Sequence, residues 1–420
     1  MSRRGIVGLL AANGISMLGT RMSMLAIPWF VLTTTGSAAE TGIVAFAEMG
    51  PYALLMGIGG PWVDRIGAWR VAIASELSAG CLLAAVPLLH FTGHLSLPVL
   101  AVLVAVAGAV RGAGDTGNRV LVPGLAEEAD MALERASGLF DGTNRVASMI
   151  GVPAAGLLIA LLSAPAVLVI DAASFIVSGT LLRLFVPRSA QPERDATETT
   201  SSYVAQLGEG FRYLRGDRLL LGISFMVLVT NLIDVAHGSV LLPVWGQDRL
   251  GSPVGIGLIA GVFALGAISG NALLTWLAPQ LPRRLVYGVG FLAAGAPRYI
   301  GLALFSTVEP MLVIAFAAGF GAGSINPILG AVEYERVPRH LQARVLGAMG
   351  ALACLGMPFG GIIGGTMVES IGLTATLWIA GIAYGLTTLA PFVFPAWRQM
   401  ERGMAAATSA RPGPSVHSAG

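Results

Sequence analysis

The residues able to do chemistry in this sequence are charged side chains set inside apolar runs. Arg21, Glu48 and Asp234 fall near the middle of such runs. Arg111, Asp115 and Arg119 recur four residues apart, as do Asp141 and Arg145. On helices that spacing stacks each set on one face. A carboxyl group kept from water favours its neutral form, so it can take up and give back a proton. An arginine stays charged and can hold a carboxylate in place. The sets at 111–119 and 141–145 alternate in sign, so the first expectation is ion pairs that neutralise themselves. Arg21, Glu48 and Asp234 have no opposite charge three or four residues away. Each needs a partner on another helix, or water. Two readings stand side by side: Arg21 pairs with Glu48, or Glu48 or Asp234 is a carboxylate that titrates. Asp171 is read as structural, Asn326 as a ligand contact, and Arg298 is assigned no role. Trp29, Trp245 and Trp276 fit ligand contact and interfacial anchoring about equally well.

Other chemistries fail on pattern. Gly112–Gly117 reads GAGDTG and fits G-x-G-x-x-G, but it follows an apolar helix rather than a strand, so close helix packing explains it. All 25 basic residues are arginine, which rules out a phosphate loop built on lysine. His90 and His94 have metal-ligand spacing without companion ligands. Cys81 and Cys354 lie far apart in apolar runs and define no disulfide framework. No nucleophile–base constellation is visible. The expectation is a protein with no catalytic residue, no cofactor and no metal, and a net charge of +2 gives no reason to expect a nucleic-acid partner.

The elements that must position these charges are membrane helices. The chain is 55% hydrophobic and 11% charged, with a mean hydropathy of +0.76. A soluble domain carries about 25% charged residues, so this one has too little polar surface to face water. Apolar runs of about 20 residues fall at 6–33, 41–63, 70–91, 96–120, 137–162, 165–186, 219–244, 252–277, 285–306, 309–332, 343–367 and 371–396. The first run has the basic flank of a signal peptide, but it continues past residue 30 without a small-residue cleavage site and reads as a span. Fifteen arginines fall on one side of this arrangement, among them Arg3, Arg65, Arg135, Arg188, Arg284 and Arg398, while the opposite loops hold Arg249. The positive-inside rule then puts both termini in the cytoplasm. Residues 187–218 form a linker, polar at first, with Tyr203, Leu207, Phe211 and Leu214 at helical spacing. That pattern predicts an amphipathic helix on the inner membrane surface. The tail 399–420 reads as disordered.

The two halves repeat one another. GVPAAG (Gly151, Pro153, Gly156) in the fifth span matches GMPFGG (Gly356, Pro358, Gly360) in the eleventh, and both read as close-packing motifs. Val122-Pro123 and Val337-Pro338 close the fourth and tenth spans, and Arg135 and Arg344 precede the fifth and eleventh. Domain boundaries follow: a first bundle at 1–186, the linker at 187–218, a second bundle at 219–398, then the tail.

Between the second and third spans stands Gly60-x-x-x-Asp64-Arg65-x-Gly67, with Arg70 following. This resembles the loop motif of the major facilitator superfamily, except that Ala68 and Trp69 occupy the usual basic positions. Asp171 with its flanks, Glu209–Arg215 and Arg336–Gly347 resemble one branch, the bacterial permeases of the macrolide-exporter and enterobactin-exporter type. The resemblance implies an all-α membrane protein of major facilitator fold, with twelve transmembrane helices in two six-helix bundles. In that family the loop aspartate interacts with the start of helix eleven, which would place Asp64 near Arg344. A carboxylate at a helix N-terminus gains about 0.3–1 kcal/mol. The family's fourth helix often carries a proton-coupling arginine, and Arg111 is the match by depth.

The expected function is a secondary-active exporter of small amphipathic molecules, exchanging them for protons by alternating access. It would work as a monomer in the bacterial cytoplasmic membrane. The alternatives are a transporter of lipid-like molecules and a non-transporting sensor with the same fold.

Overall fold

The computed structural model describes residues 3–190, 203–277 and 281–401; the first part of the linker and the tail from 402 lie outside the described residues. Twelve helices are long and apolar enough to cross a membrane: Arg4–Thr35, Ala38–Ile58, Ala68–Phe91, Leu97–Glu128, Leu133–Leu161, Ala164–Phe185, Arg218–Leu250, Val254–Leu274, Arg283–Leu304, Val308–Arg336, Arg344–Ile371 and Leu373–Val393. These are spans 1 to 12. Helix is the form dictated by composition, because a chain this apolar must satisfy its backbone groups within each segment. Boundaries follow local chemistry. Ser37 caps span 2 by accepting from Glu40 N at 3.2 Å, and Asp217 caps span 7 by accepting from Leu219 N at 3.0 Å and Leu220 N at 3.1 Å.

One sequence expectation needs correction here: Pro123 does not close span 4, which runs on to Glu128; Val337, by contrast, does cap span 10. The linker helix, Tyr203–Gly216, packs on the start of span 11, with Leu214 buried and Gly210 against the Arg344 carbonyl.

Packing repeats with an offset of six. In the first half span 1 packs on spans 5 and 6, span 4 on spans 2 and 3, and span 3 on span 6. In the second half span 7 packs on spans 11 and 12, span 10 on spans 8 and 9, and span 9 on span 12. The halves meet along two seams related by the same offset, span 2 against span 11 and span 5 against span 8. Spans 9, 10 and 11 are each interrupted, at Gly295, Ser324 and Gly356. Span 7 carries two wider π-helical turns, His237–Leu241 and Gly246–Leu250.

Candidate functional site

Span 4 brings the first cluster of charges together. Arg111 donates from Nη1 to Glu48 Oε1 of span 2 at 3.2 Å, and the guanidinium stacks near the rings of Tyr52 and Phe175. One turn on, Asp115 accepts from the Tyr52 hydroxyl at 2.8 Å. Arg119 is exposed and lies over the Phe140 ring at 5.9 Å. Arg111 and Asp115 of span 4 therefore make their hydrogen bonds across to span 2. Glu48 and Arg111 thus place opposite groups within hydrogen-bond distance where water is scarce, as a pair inside a membrane requires.

Arg21 is not the partner of Glu48. Its Nη1 contacts the Met24 sulfur at 3.2 Å, its Nε is buried without an acceptor, and its stem packs against Gly151 of span 5. Asp141 and Arg145 are both exposed on span 5, and among the described residues no ion pair joins them.

In the second half Asp234 of span 7 accepts from Arg298 Nη2 at 2.7 Å and from the Tyr299 hydroxyl at 2.9 Å, both on span 9. Arg298, given no role by the sequence, is thus the counter-ion of Asp234, and it also lies over the Phe263 ring at 5.2 Å. Asn326 is exposed just beyond the break in span 10. Asp171 is fully buried and accepts from Ser23, and from Ser174 at 3.2 Å, as a structural residue would.

One carboxylate escaped the sequence reading. Glu76 of span 3 is buried and accepts from Ser16 Oγ at 3.2 Å, while its second oxygen has no partner. It is the only charge in the run VAIASELSAG, so the rule that selected Glu48 would have found it.

The end at which span 1 starts carries most of the arginines, and the opposite, far end is where spans 1 and 2 turn at Gly36. At the far end the halves are sealed. Leu32, Ala38, Val240 and Val244 form a buried cluster with Val368 and Leu373, and Glu369 accepts from Ser37 Oγ at 3.1 Å and Ala39 N at 3.2 Å. Both seams rely on glycine. A Cβ at Gly42 of span 2 would collide with the Gly361 carbonyl of span 11, and Gly156 of span 5 lies against Gly257 of span 8. Pro153 shares that second seam, Gly356 and Gly360 pack on span 7, and Pro358 faces Gly50 of span 2.

At the arginine-rich end the ion pairs found among the described residues lie in the second half and the linker helix. Gly60–Ile66 forms a short helix packed on spans 3 and 4, with Asp64, Arg65 and Arg70 exposed and Gly67 making the turn at φ 103°. Arg344, where the resemblance puts the partner of Asp64, pairs with Glu209 of the linker helix. Arg283 forms a two-pronged pair with Glu335 at 2.6 and 2.7 Å, and Arg336 pairs with Asp217. The Tyr213 hydroxyl donates to the Arg336 carbonyl at 3.2 Å, and burial, then the neighbouring Asp217 carboxylate, push this phenol up. Among the described residues no group of three potential metal ligands occurs.

Known proteins place this architecture. The chain is 29% identical over 398 residues to the multidrug efflux pump Tap of Mycobacterium tuberculosis, covering 94% of each chain. It is 21% identical over 380 residues to macrolide efflux protein A of Streptococcus pyogenes, covering 88% of this chain and 91% of that one. Among solved structures, the nucleoside transporter NupG superposes with a TM-score of 0.72 at 13% identity over 94% of this chain and 100% of its own. A bacterial homologue of the lysosomal transporter Spinster, in an inward-facing and unoccupied conformation, superposes with a TM-score of 0.67 at 16% identity over 99% and 100%. The family model of the Major Facilitator Superfamily matches residues 9–255 and 237–412. With its twelve spans, its sixfold-offset packing and this match, the chain belongs to the Major Facilitator Superfamily.

Proposed function

We propose that this transporter is a secondary-active exporter that moves small amphipathic molecules out of the cell in exchange for protons. The observation that carries the reading is the asymmetry of the two ends: the Leu32–Val244 cluster joins the halves at the far end, while at the arginine-rich end the ion pairs Arg283–Glu335, Arg336–Asp217 and Arg344–Glu209 join the second half to itself and to the linker helix. With the arginine-rich end in the cytoplasm, as the positive-inside rule favours, this is an inward-facing state waiting for cargo. The units that rock are 1–186 and 219–398, joined by the linker 187–218, and one chain suffices because each half supplies its own spans to the passage. Export rather than uptake is supported by the names of the relatives, a multidrug efflux pump and a macrolide efflux protein.

Lipophilic cargo fits the lining. Glu48 of span 2 is paired with Arg111 of span 4 and Asp234 of span 7 with Arg298 of span 9, and Phe46 of span 2 stands 5.6 Å from Phe359 of span 11 across the seam. A highly charged solute would need unpaired cavity charge that those pairs do not offer. When the molecule turns outward, the start of span 11 leaves Glu209 and meets Asp64, so Gly60–Arg70 acts as the latch on the inner side.

The test is proton movement in energised inside-out membrane vesicles containing the protein, challenged with lipophilic cations, macrolides and siderophores. Collapse of the pH gradient by one compound, lost in Asp64→Asn, is expected. Silence across the whole panel, in vesicles shown to contain folded protein, would refute proton-coupled export.

A further inference from the structure

Inside the first half, spans 1, 3, 4 and 6 line a cavity of about 10 Å³, the size of one water molecule. Ser16, Thr20, Glu76, Arg111, Asp115 and Phe175 line it. Three buried oxygens there lack any partner: Glu76 Oε2, Thr20 Oγ1 and, beside them on span 6, Ser178 Oγ. A buried polar atom in a packed interior ordinarily has a partner, from protein or from a water such as a cavity of this size can hold.

The site suits a neutral side chain. As a carboxylate, Glu76 would hold a full charge in a medium that penalises it, with hydroxyl neighbours and, among the described residues, no ion-pair partner. As a carboxylic acid, it brings no charge into that medium. The charged neighbours agree. Span 4 presents Arg111 and Asp115, span 6 presents Asp171, span 2 presents Glu48 beyond Arg111, and span 1 presents Arg21 toward Asp115. Arg111 is committed to Glu48, Asp115 leans on Tyr52 with Arg21 and the exposed Arg119 nearby, and Asp171 leans on two serines, so four carboxyl groups share three arginines, none of them paired with Glu76. A buried cluster with that excess of acid retains protons.

We propose that Glu76 is the proton carrier of this transporter, protonated in the inward-facing state and discharged when Arg111 swings from Glu48 into the cavity. In that step the O–H bond of Glu76 breaks, the proton passes to water in the cavity, and the carboxylate left behind pairs with Arg111. Glu48, released, faces the passage. Substrate arriving between the halves would thereby be linked to a titrating group it never touches. This rests on the proton-coupled reading above.

The direct readout needs no substrate. Infrared difference spectra of the full-length protein in liposomes, recorded across a pH titration, report the carbonyl stretch of protonated carboxyl groups. One such band is expected in the wild type, lost in Glu76→Gln, shifted in Glu76→Asp and retained in Asp115→Asn. A Glu76→Gln spectrum identical to the wild type would overturn the assignment. In the vesicle assay, a wild type that couples protons beside a Glu76→Gln variant that couples equally well would also overturn it. Loss of the band in a protein that never couples would uphold protonation at Glu76 and refute the exchange reading instead.

Discussion

Arg111 shows how one side chain changes meaning with its surroundings. By spacing it belongs with Asp115 and Arg119, yet it serves Glu48, 63 positions earlier in the chain. Its side chain is 13% exposed and that of Glu48 20%, so removing one partner strands a charge where water is scarce. Breaking such a pair costs about 3–5 kcal/mol, whereas removing both members costs far less. Arg111→Met is therefore expected to lower the unfolding temperature of the detergent-purified protein markedly, and adding Glu48→Gln to recover most of the loss. Equal damage in the single and double variants would show that the two residues act separately. Asp234 and Arg298 repeat the arrangement in the second half, 64 positions apart.

The seams make their argument through backbone rather than side chains. Spans 2 and 11 approach until glycine is the only residue that fits, because a lipid environment gives no hydrophobic force to draw helices together and close packing must do it. Adding bulk at such a contact costs about 1–3 kcal/mol. Gly42→Val should thus push the population away from the state sealed at the far end by about 5–150-fold. A cysteine at Leu32, in a background without Cys81 and Cys354, should then react faster with a membrane-impermeant thiol reagent added at the far side. Unchanged reactivity would mean that the seam does not hold the far end shut. The motifs GVPAAG and GMPFGG were legible as packing signals. Their division of labour was not, since Gly151 serves span 1 and Gly156 serves span 8.

Over the whole molecule the question is what sets the balance between the proposed inward-facing state and closure of the arginine-rich end. The Glu209–Arg344 pair ties the linker helix to span 11, but its side chains are 43% and 35% exposed. Exposed pairs contribute about 0.2–1 kcal/mol. Glu209→Gln should shift the balance toward closure at that end by at most about fivefold. Spin labels at Leu133 and Tyr334, both exposed at that end, would report the shift as growth of a shorter-distance population. A larger shift would assign the linker a controlling role in place of a supporting one.

Composition by itself determined that this chain is built of membrane helices, and the lengths of its apolar runs determined how many, because a bilayer of fixed thickness and the need to satisfy every backbone group leave few solutions. The glycine-rich repeats and the Gly60–Arg70 motif made the doubling and the family readable. The helices' partners were another matter. Glu48 with Arg111, Asp234 with Arg298 and Arg344 with Glu209 join residues on different helices, and nothing in a local pattern of charge states which helix faces which. Glu76 is the sharpest case: a single glutamate in span 3 becomes a group with an unmet hydrogen bond only once spans 1, 4 and 6 close around it. Which end of the molecule is shut was likewise settled by tertiary packing, since the same sequence must be able to adopt both arrangements.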